Sequence, residues 1–301
     1  LFGDNKFLNT PNINIAQDIK QHWWMLLTYT YNFKELVSFS AGQSFFEAPI
    51  FSHLWSLSVE EHFYLLFPLA VYFMQEKTLK KFILIVLALA FVGRIAFYHY
   101  LVSLNDNPLW VGISLYRNTI TQIDALFLGA LLALVNWDKL KNPRLYFYIS
   151  FFLFVAVTLG NGYLISRQEH ISIAEALHEF VMLTKNYSFA LLMPLCNITS
   201  AFLMIMLIRQ PGFLNRIFEH KVAIYLGKRS YGIYIYHFMV SLIVILLASV
   251  FVKRFRIDIE AVWINVVIAA ASVFATIWVA HISFKYYESY FLKFKKRYQT
   301  P

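Results

Sequence analysis

The chain has 301 residues and a mass of 35.3 kDa; 59% are apolar, 19% aromatic and only 14% charged, with a mean hydropathy of +0.56. A soluble domain carries about 25% charged and about 45–50% apolar residues, so a soluble enzyme, a disordered chain and a secreted disulfide scaffold are excluded and the bilayer is the expected solvent. The net charge of +9, from 26 Lys+Arg against 17 Asp+Glu, points to cytoplasmic loops and not to a nucleic-acid partner.

Residues 1–20, with Asn5, Asn9, Pro11, Asn12 and Asn14, read as a polar loop. A short apolar run at 22–36 follows, a further span or the remnant of one. Apolar segments able to cross about 30 Å of hydrocarbon are predicted at 54–74, 80–102, 117–136, 145–163, 187–208, 230–252 and 261–288. The expected fold is therefore all-α: a polytopic transmembrane helical bundle of about eight spans. It forms one membrane-embedded domain over 1–301, with no hinge-like linker and no internal repeat. The single cysteine, Cys196, allows no internal disulfide and no multi-cysteine metal site. No metal is expected.

Loop charges predict an orientation. The segments 75–81, 138–144, 209–229 and 293–297 hold fifteen basic residues: Lys77, Lys80, Lys81, Lys139, Lys141, Arg144, Arg209, Arg216, Lys221, Lys228, Arg229, Lys293, Lys295, Lys296 and Arg297. The alternate segments 103–117, 164–186 and 253–260 hold only Arg117, Arg167, Lys185, Lys253, Arg254 and Arg256. By the positive-inside rule the first set and the C-terminus are cytoplasmic.

Ionisable groups within spans need a partner or a task, because each costs about 2.5–3.5 kcal/mol at mid-membrane. Glu60, Glu61, His62, Arg94, His99, Asp124, His237, His281, Lys285 and Glu288 all fall inside predicted spans. His99 and Lys285 lie near helix ends, where side chains snorkel to the interface. Glu60, Glu61, Asp124 and Arg94 share a depth of about 10 Å from the outer ends of their helices, which predicts an outer polar cluster bridged by Arg94. For Arg94 and Asp124 a plain ion pair that fixes helix packing is an equal reading. Glu60 and Glu61 point about 100° apart, so this helix is polar on two faces and borders a wet cavity. Nearer the cytoplasm, Ser230, Tyr234, His237 and Ser241 form one stripe, and His281, Lys285 and Glu288 form another at i, i+4 and i+7. For His281 a simple interhelical hydrogen bond is an equal reading. Together the stripes outline a polar passage toward Lys228 and Arg229, where an anionic cofactor would dock.

Four stretches, taken together, carry a family resemblance. They are His53-Leu54-Trp55-Ser56-Leu57-Ser58-Val59-Glu60-Glu61-His62-Phe63-Tyr64-Leu65-Leu66-Phe67-Pro68, Asp124-Ala125-Leu126-Phe127-Leu128-Gly129-Ala130, the segment from Leu226 to His237 containing Ser230-Tyr231, Tyr234 and His237, and Ser283-Phe284-Lys285-Tyr286-Tyr287-Glu288. In order and spacing they resemble the signatures of the acyltransferase 3 family of integral membrane enzymes, over nearly the whole chain from about residue 22. Two positions depart from the usual pattern: Gln122, where an Arg often precedes the Asp, and His62, where Gln is commoner.

The resemblance implies transfer of an acyl group, usually acetyl, from acetyl-CoA or another acyl-CoA to a hydroxyl of a carbohydrate such as a polysaccharide or lipid-linked sugar. It also implies the bacterial cytoplasmic membrane. The family's proposed base is a His in an Arg-x10-His motif of its first transmembrane helix, followed by an Arg-x-x-Arg motif, and neither occurs ahead of the first signature in this chain. Both are expected upstream of Leu1, so the N-terminal helix or helices of the domain are expected to be missing, and with them the base. Nor is the chain expected to be one of the members fused to a hydrolase-like domain. Acyl transfer needs a base and donors for the developing oxyanion. On this reading Glu60 and Glu61 orient the acceptor or the base, His237 and Glu288 line the donor side, and Lys228 with Arg229 binds the CoA phosphates. A transporter, with the same charges as a relay, and a non-catalytic membrane scaffold are the alternatives. Transport predicts repeated broken helices, which the sequence lacks.

Overall fold

Packed helices satisfy their own backbone, which is what an apolar solvent demands of a chain this hydrophobic. The computed structural model describes residues 15–40, 49–105, 107–178, 188–255 and 262–295. Among them every regular element is helical. In chain order these are α1 (Ile15–Leu27), a 3-10 turn (Tyr31–Phe33), α2 (Lys34–Ser40), a second 3-10 stretch (Pro49–Leu54), α3 (Trp55–Phe73), α4 (Glu76–Leu104), α5 (Pro108–Arg117) and α6 (Thr119–Leu134). After a 3-10 turn at Trp137–Lys139 come α7 (Pro143–Glu169), α8 (Ile173–His178), α9 (Ser188–Arg209), α10 (Phe213–Phe218), α11 (Lys221–Gly227), α12 (Ser230–Phe255) and α13 (Val262–Ser283). A π-turn (Phe284–Glu288) and α14 (Ser289–Lys295) close the series.

Among the described residues five helices are long and apolar enough to cross a membrane: Glu76–Leu104, Pro143–Glu169, Phe189–Arg209, Ser230–Val252 and Trp263–Lys293. The other three segments counted as spans differ for physical reasons. The 22–36 run is broken: α1 stops at Leu27, Tyr29 turns the backbone left-handed at φ 53, and a 3-10 turn intervenes before α2. At 16 residues, α6 reaches about 24 Å, short of the hydrocarbon core. The 19 residues of α3 carry Ser56, Ser58, Glu60, Glu61 and His62 in its first half and Pro68 in its second.

Several segments read as loops are also helical. Residues 15–20 belong to α1, 108–117 form α5, 173–178 form α8, and 213–218 and 221–227 form two further short helices. Residues 1–14, 41–48, 106, 179–187, 256–261 and 296–301, with Lys185, Arg256, Lys296 and Arg297, lie outside the described residues. The helix predicted to end at 163 runs on to Glu169. Its Gly162 lets α8 pack closely on it, since a Cβ there would meet the Leu177 side chain at 2.7 Å. The helix ends on His170 in the left-handed conformation, a common helix stop. A capping box then starts α8, Ser172 N donating to Glu175 Oε2 at 2.8 Å and Glu175 N to Ser172 Oγ at 3.2 Å.

The chain divides into two compact units, the described residues of Ala16–Glu47 and Leu54–Gly212 in one and of Ala48–His53 and Phe213–Pro301 in the other. In the first, α7 packs on α9 and α4 on α6. One core joins Leu101, Trp110, Val111, Leu115 and Phe189. A second joins Ala70, Leu79, Ile83 and Phe127, with Phe63, Phe67 and Phe82 edge-on to Phe127 at 5.3–5.9 Å. In the second unit, α12 packs on α13. Large apolar side chains such as Phe73, Phe274 and Trp278 face outward, as a lipid-facing surface requires.

Candidate functional site

In the second unit α12 is regular, so Ser230, Tyr234, His237 and Ser241 keep their common stripe. His237 Nδ1 donates to the Tyr234 carbonyl at 2.6 Å, which leaves Nε2 as the ring's acceptor. His53, at the head of the first signature, meets this stripe: its Nε2 donates to the Ile235 carbonyl at 3.2 Å, and Tyr234 Oη donates to the His53 carbonyl. The His53 ring lies 4.9 Å from His237 at 71° and stacks on Phe238 at 5.5 Å. Burial holds the His53 imidazole below its ordinary 6.5; the Ile235 carbonyl opposes this and His237 adds to it.

The stripe predicted on the last helix is not formed. A π-turn from Phe284 to Glu288 interrupts the α period, and π-turns in helices concentrate at functional sites. Residues five apart in an α-helix lie about 140° apart, yet here Ser283 Oγ donates to Glu288 Oε1 at 3.2 Å. With its proton so used, Ser283 Oγ accepts from Tyr236 Oη at 3.1 Å, giving a Tyr236–Ser283–Glu288 relay. Gly232 is the floor beneath it: a Cβ there would lie 2.9 Å from Glu288 Oε1. His281 leaves the stripe for Tyr225, its Nδ1 at 2.8 Å from Tyr225 Oη and the rings stacked. Lys285 is exposed, with Nζ 5.1 Å from the Tyr286 ring.

Lys228 and Arg229 differ from one another. Lys228 is exposed. Arg229 is clamped between aromatic rings, its Cζ 3.6 Å from the Tyr225 centroid and 4.9 Å from that of Phe284. Arg229 Nη1 donates to the Tyr225 carbonyl at 3.0 Å, while Nε is buried with no hydrogen-bond partner among the described residues.

In the first unit Arg94 and Asp124 pair as their equal depths predict, Nη2 to Oδ2 at 3.0 Å, and Arg94 Nε also reaches the Thr121 carbonyl at 3.2 Å. Glu60 and Glu61 take no part in this pair, so the four-residue cluster expected around Arg94 reduces to two. Both glutamates are half-buried and form no hydrogen bond or ion pair among the described residues. His62 is anchored: Thr119 Oγ1 receives a bond from Asn32 Nδ2 at 2.8 Å and gives its proton to His62 Nδ1 at 2.7 Å. A partly buried ion pair that the sequence does not predict links Glu35 Oε1 with Arg117 Nη1. Across the described residues no group of three His, Cys, Asp or Glu side chains gathers as a metal centre.

Apolar helices long enough to span, with polar side chains paired between and within them, mark an integral membrane protein. More specifically, the chain belongs to the acyltransferase 3 family, whose acyltransferase domain matches residues 12–284. It is similar to a protein of Staphylococcus aureus strain COL whose name marks it as a candidate O-acetyltransferase, at 27% identity over 252 residues, covering 80% of this chain and 36% of that one. It is also similar to the O-acetyltransferase OatA of Staphylococcus aureus strain NCTC 8325, at 23% identity over 242 residues, covering 79% of this chain and 35% of OatA. The chain thus spans about a third of the length of these curated relatives. No solved structure matches it.

Proposed function

We propose that this chain is the membrane-embedded domain of an O-acyltransferase that moves an acyl group, acetyl in the first instance, from acyl-CoA to a hydroxyl of a carbohydrate such as a cell-surface polysaccharide or a lipid-linked sugar. The family match over residues 12–284 carries the reading. In the reaction the acceptor oxygen bonds to the acyl carbon, the C–S bond breaks, and the hydroxyl proton ends on the departing thiol. Glu60 and Glu61, half-buried with no competing partner among the described residues, orient the acceptor. His237 and the Tyr236–Ser283–Glu288 relay line the donor side. Lys228 meets the CoA phosphates as a mobile cation, and Arg229, pre-set between two rings, adds a fixed one through its unspent Nε. The protein lies in the bacterial cytoplasmic membrane with the basic loops and C-terminus inside.

The test is loss of the full-length gene followed by mass analysis of surface glycans for a missing acyl group, with complementation by wild type and by Glu60→Gln. Restoration by wild type and not by the variant is expected. Unchanged glycans in the null strain overturn the reading, and full restoration by Glu60→Gln removes that carboxylate from it. Undiminished acetyl-CoA binding by Lys228→Ala/Arg229→Ala removes the basic docking site.

A further inference from the structure

His53 is held by Ile235, Tyr234, His237 and Phe238, and together they leave one of its atoms, Nδ1, idle. The Ile235 carbonyl can only accept, so the Nε2 that meets it at 3.2 Å carries the proton and the neutral ring keeps its lone pair on Nδ1. That Nδ1 is buried with no hydrogen-bond partner among the described residues. A buried acceptor left without a donor costs about 1–3 kcal/mol, and such an atom in a folded protein calls for an explanation. The surroundings fix the ring and do not satisfy it: Phe238 stacks on one side at 5.5 Å, His237 stands edge-on at 4.9 Å, and Tyr234 Oη is bound to the His53 backbone carbonyl. His237 cannot serve as donor through Nδ1, which is committed to the Tyr234 carbonyl at 2.6 Å. Two imidazoles are thus locked by backbone carbonyls into tautomers that each leave one acceptor nitrogen bare.

We propose that His53 Nδ1 is a hydroxyl-binding atom, which accepts a hydrogen bond from an alcohol group of the carbohydrate acceptor. The proposal rests on the acyl-transfer reading above. Only a donor completes the site, and a hydroxyl is the donor an O-acyl acceptor brings. The titratable groups facing His53 among the described residues are His237 and Tyr234, both on α12. Its lowered pKa supports the role, since Nδ1 stays unprotonated and able to accept down to mildly acidic pH.

Two amides separate the binding role from the structural one. In His53→Gln the amide nitrogen falls near the Nε2 position and keeps the tie to Ile235, with nothing at the Nδ1 position. In His53→Asn the amide oxygen falls near Nδ1 and can accept a hydroxyl, while the tie is lost. The assay uses detergent-permeabilised host membranes carrying the full-length protein, radiolabelled acetyl-CoA and the host's purified envelope polysaccharide. Expected for His53→Gln is an acceptor KM raised about tenfold, with the KM for acetyl-CoA and the melting temperature unchanged. Wild type is expected to show a rise in acceptor KM on acidification; His53→Asn is expected to recover much of the acceptor KM, to melt lower, and to lack that rise. A wild-type acceptor KM in His53→Gln overturns the proposal, as does an equal loss of melting temperature and activity in His53→Gln and His53→Ala. A wild type that moves no label overturns the acyl-transfer reading, and this inference with it.

Discussion

Removing the Asp124 carboxylate is the sharpest test of how the first unit is held together. The Arg94 side chain is 1% exposed and that of Asp124 9%, joined through a single 3.0 Å contact. In Asp124→Ala the guanidinium stays buried with only the Thr121 carbonyl beside it. Stranding one member of a buried pair costs about 3–5 kcal/mol, a fall of about two to three and a half decades in the folding equilibrium. The intact pair is itself poorly compensated, because Arg94 Nη1 and Asp124 Oδ1 are both buried without a partner among the described residues. Replacing both members by apolar side chains, as in Arg94→Met/Asp124→Leu, is therefore expected to cost about 1 kcal/mol or less, or to stabilise. Reversible unfolding in mixed micelles across the two singles and the double closes the cycle. A loss below about 1 kcal/mol in Asp124→Ala, or a double variant as unstable as the single, would refute the reasoning.

Three further outcomes are expected. Gly232→Ala should displace the Glu288 carboxylate, the flexible end of a side chain 2.9 Å from the new methyl; acyl transfer should fall severalfold with the melting temperature nearly constant, and a parallel loss of both would disprove the relay. Arg209→Met removes donors to the Leu140 carbonyl at 2.7 Å and the Asp138 carbonyl at 3.0 Å; protease should then cut the 135–142 segment sooner, at a stability cost of about 1–3 kcal/mol. His53 binds its proton less tightly when folded than its ordinary 6.5, so its contribution to stability should fall as pH drops below about 6.5 and level off once the folded ring is also protonated. Parallel pH titrations of unfolding for wild type and His53→Gln check this, and an identical pH slope in both would remove His53 as the cause.

Much of the helical body was legible because hydrophobic run length and Pro or Gly punctuation act locally. The structure opens α7 at Pro143 and caps α6 at Asn118 through Ile120 N, each within two residues of the starts predicted at 145 and 117. The Arg94–Asp124 pair was legible too, since equal depth in neighbouring spans leaves a buried cation few partners. The 22–36 run misled because hydropathy does not register one left-handed residue such as Tyr29. Glu35 and Arg117 were missed because their partnership crosses 82 residues and joins the end of the short 22–36 run to the first residue of the segment predicted at 117–136. His53 was quoted within a motif but not weighed as a site: it sits in a 3-10 stretch, where neither helical nor strand periodicity marks a face.

The π-turn also bears on how this chain is matched to others. A pair four residues apart in a straight α-helix lies about 40° apart, close enough to touch, and the π-turn lets Ser283 and Glu288, five apart, make the same kind of contact. A relative with one residue fewer between its serine and its glutamate would keep the contact on an uninterrupted helix. Beyond Glu288 the helix resumes one residue out of phase, so Tyr290, Phe291 and Lys293 belong to a different frame from Trp278 and His281. Homologous positions on either side of that turn correspond by their place around the helix, and a comparison that forbids a one-residue gap there pairs the wrong side chains.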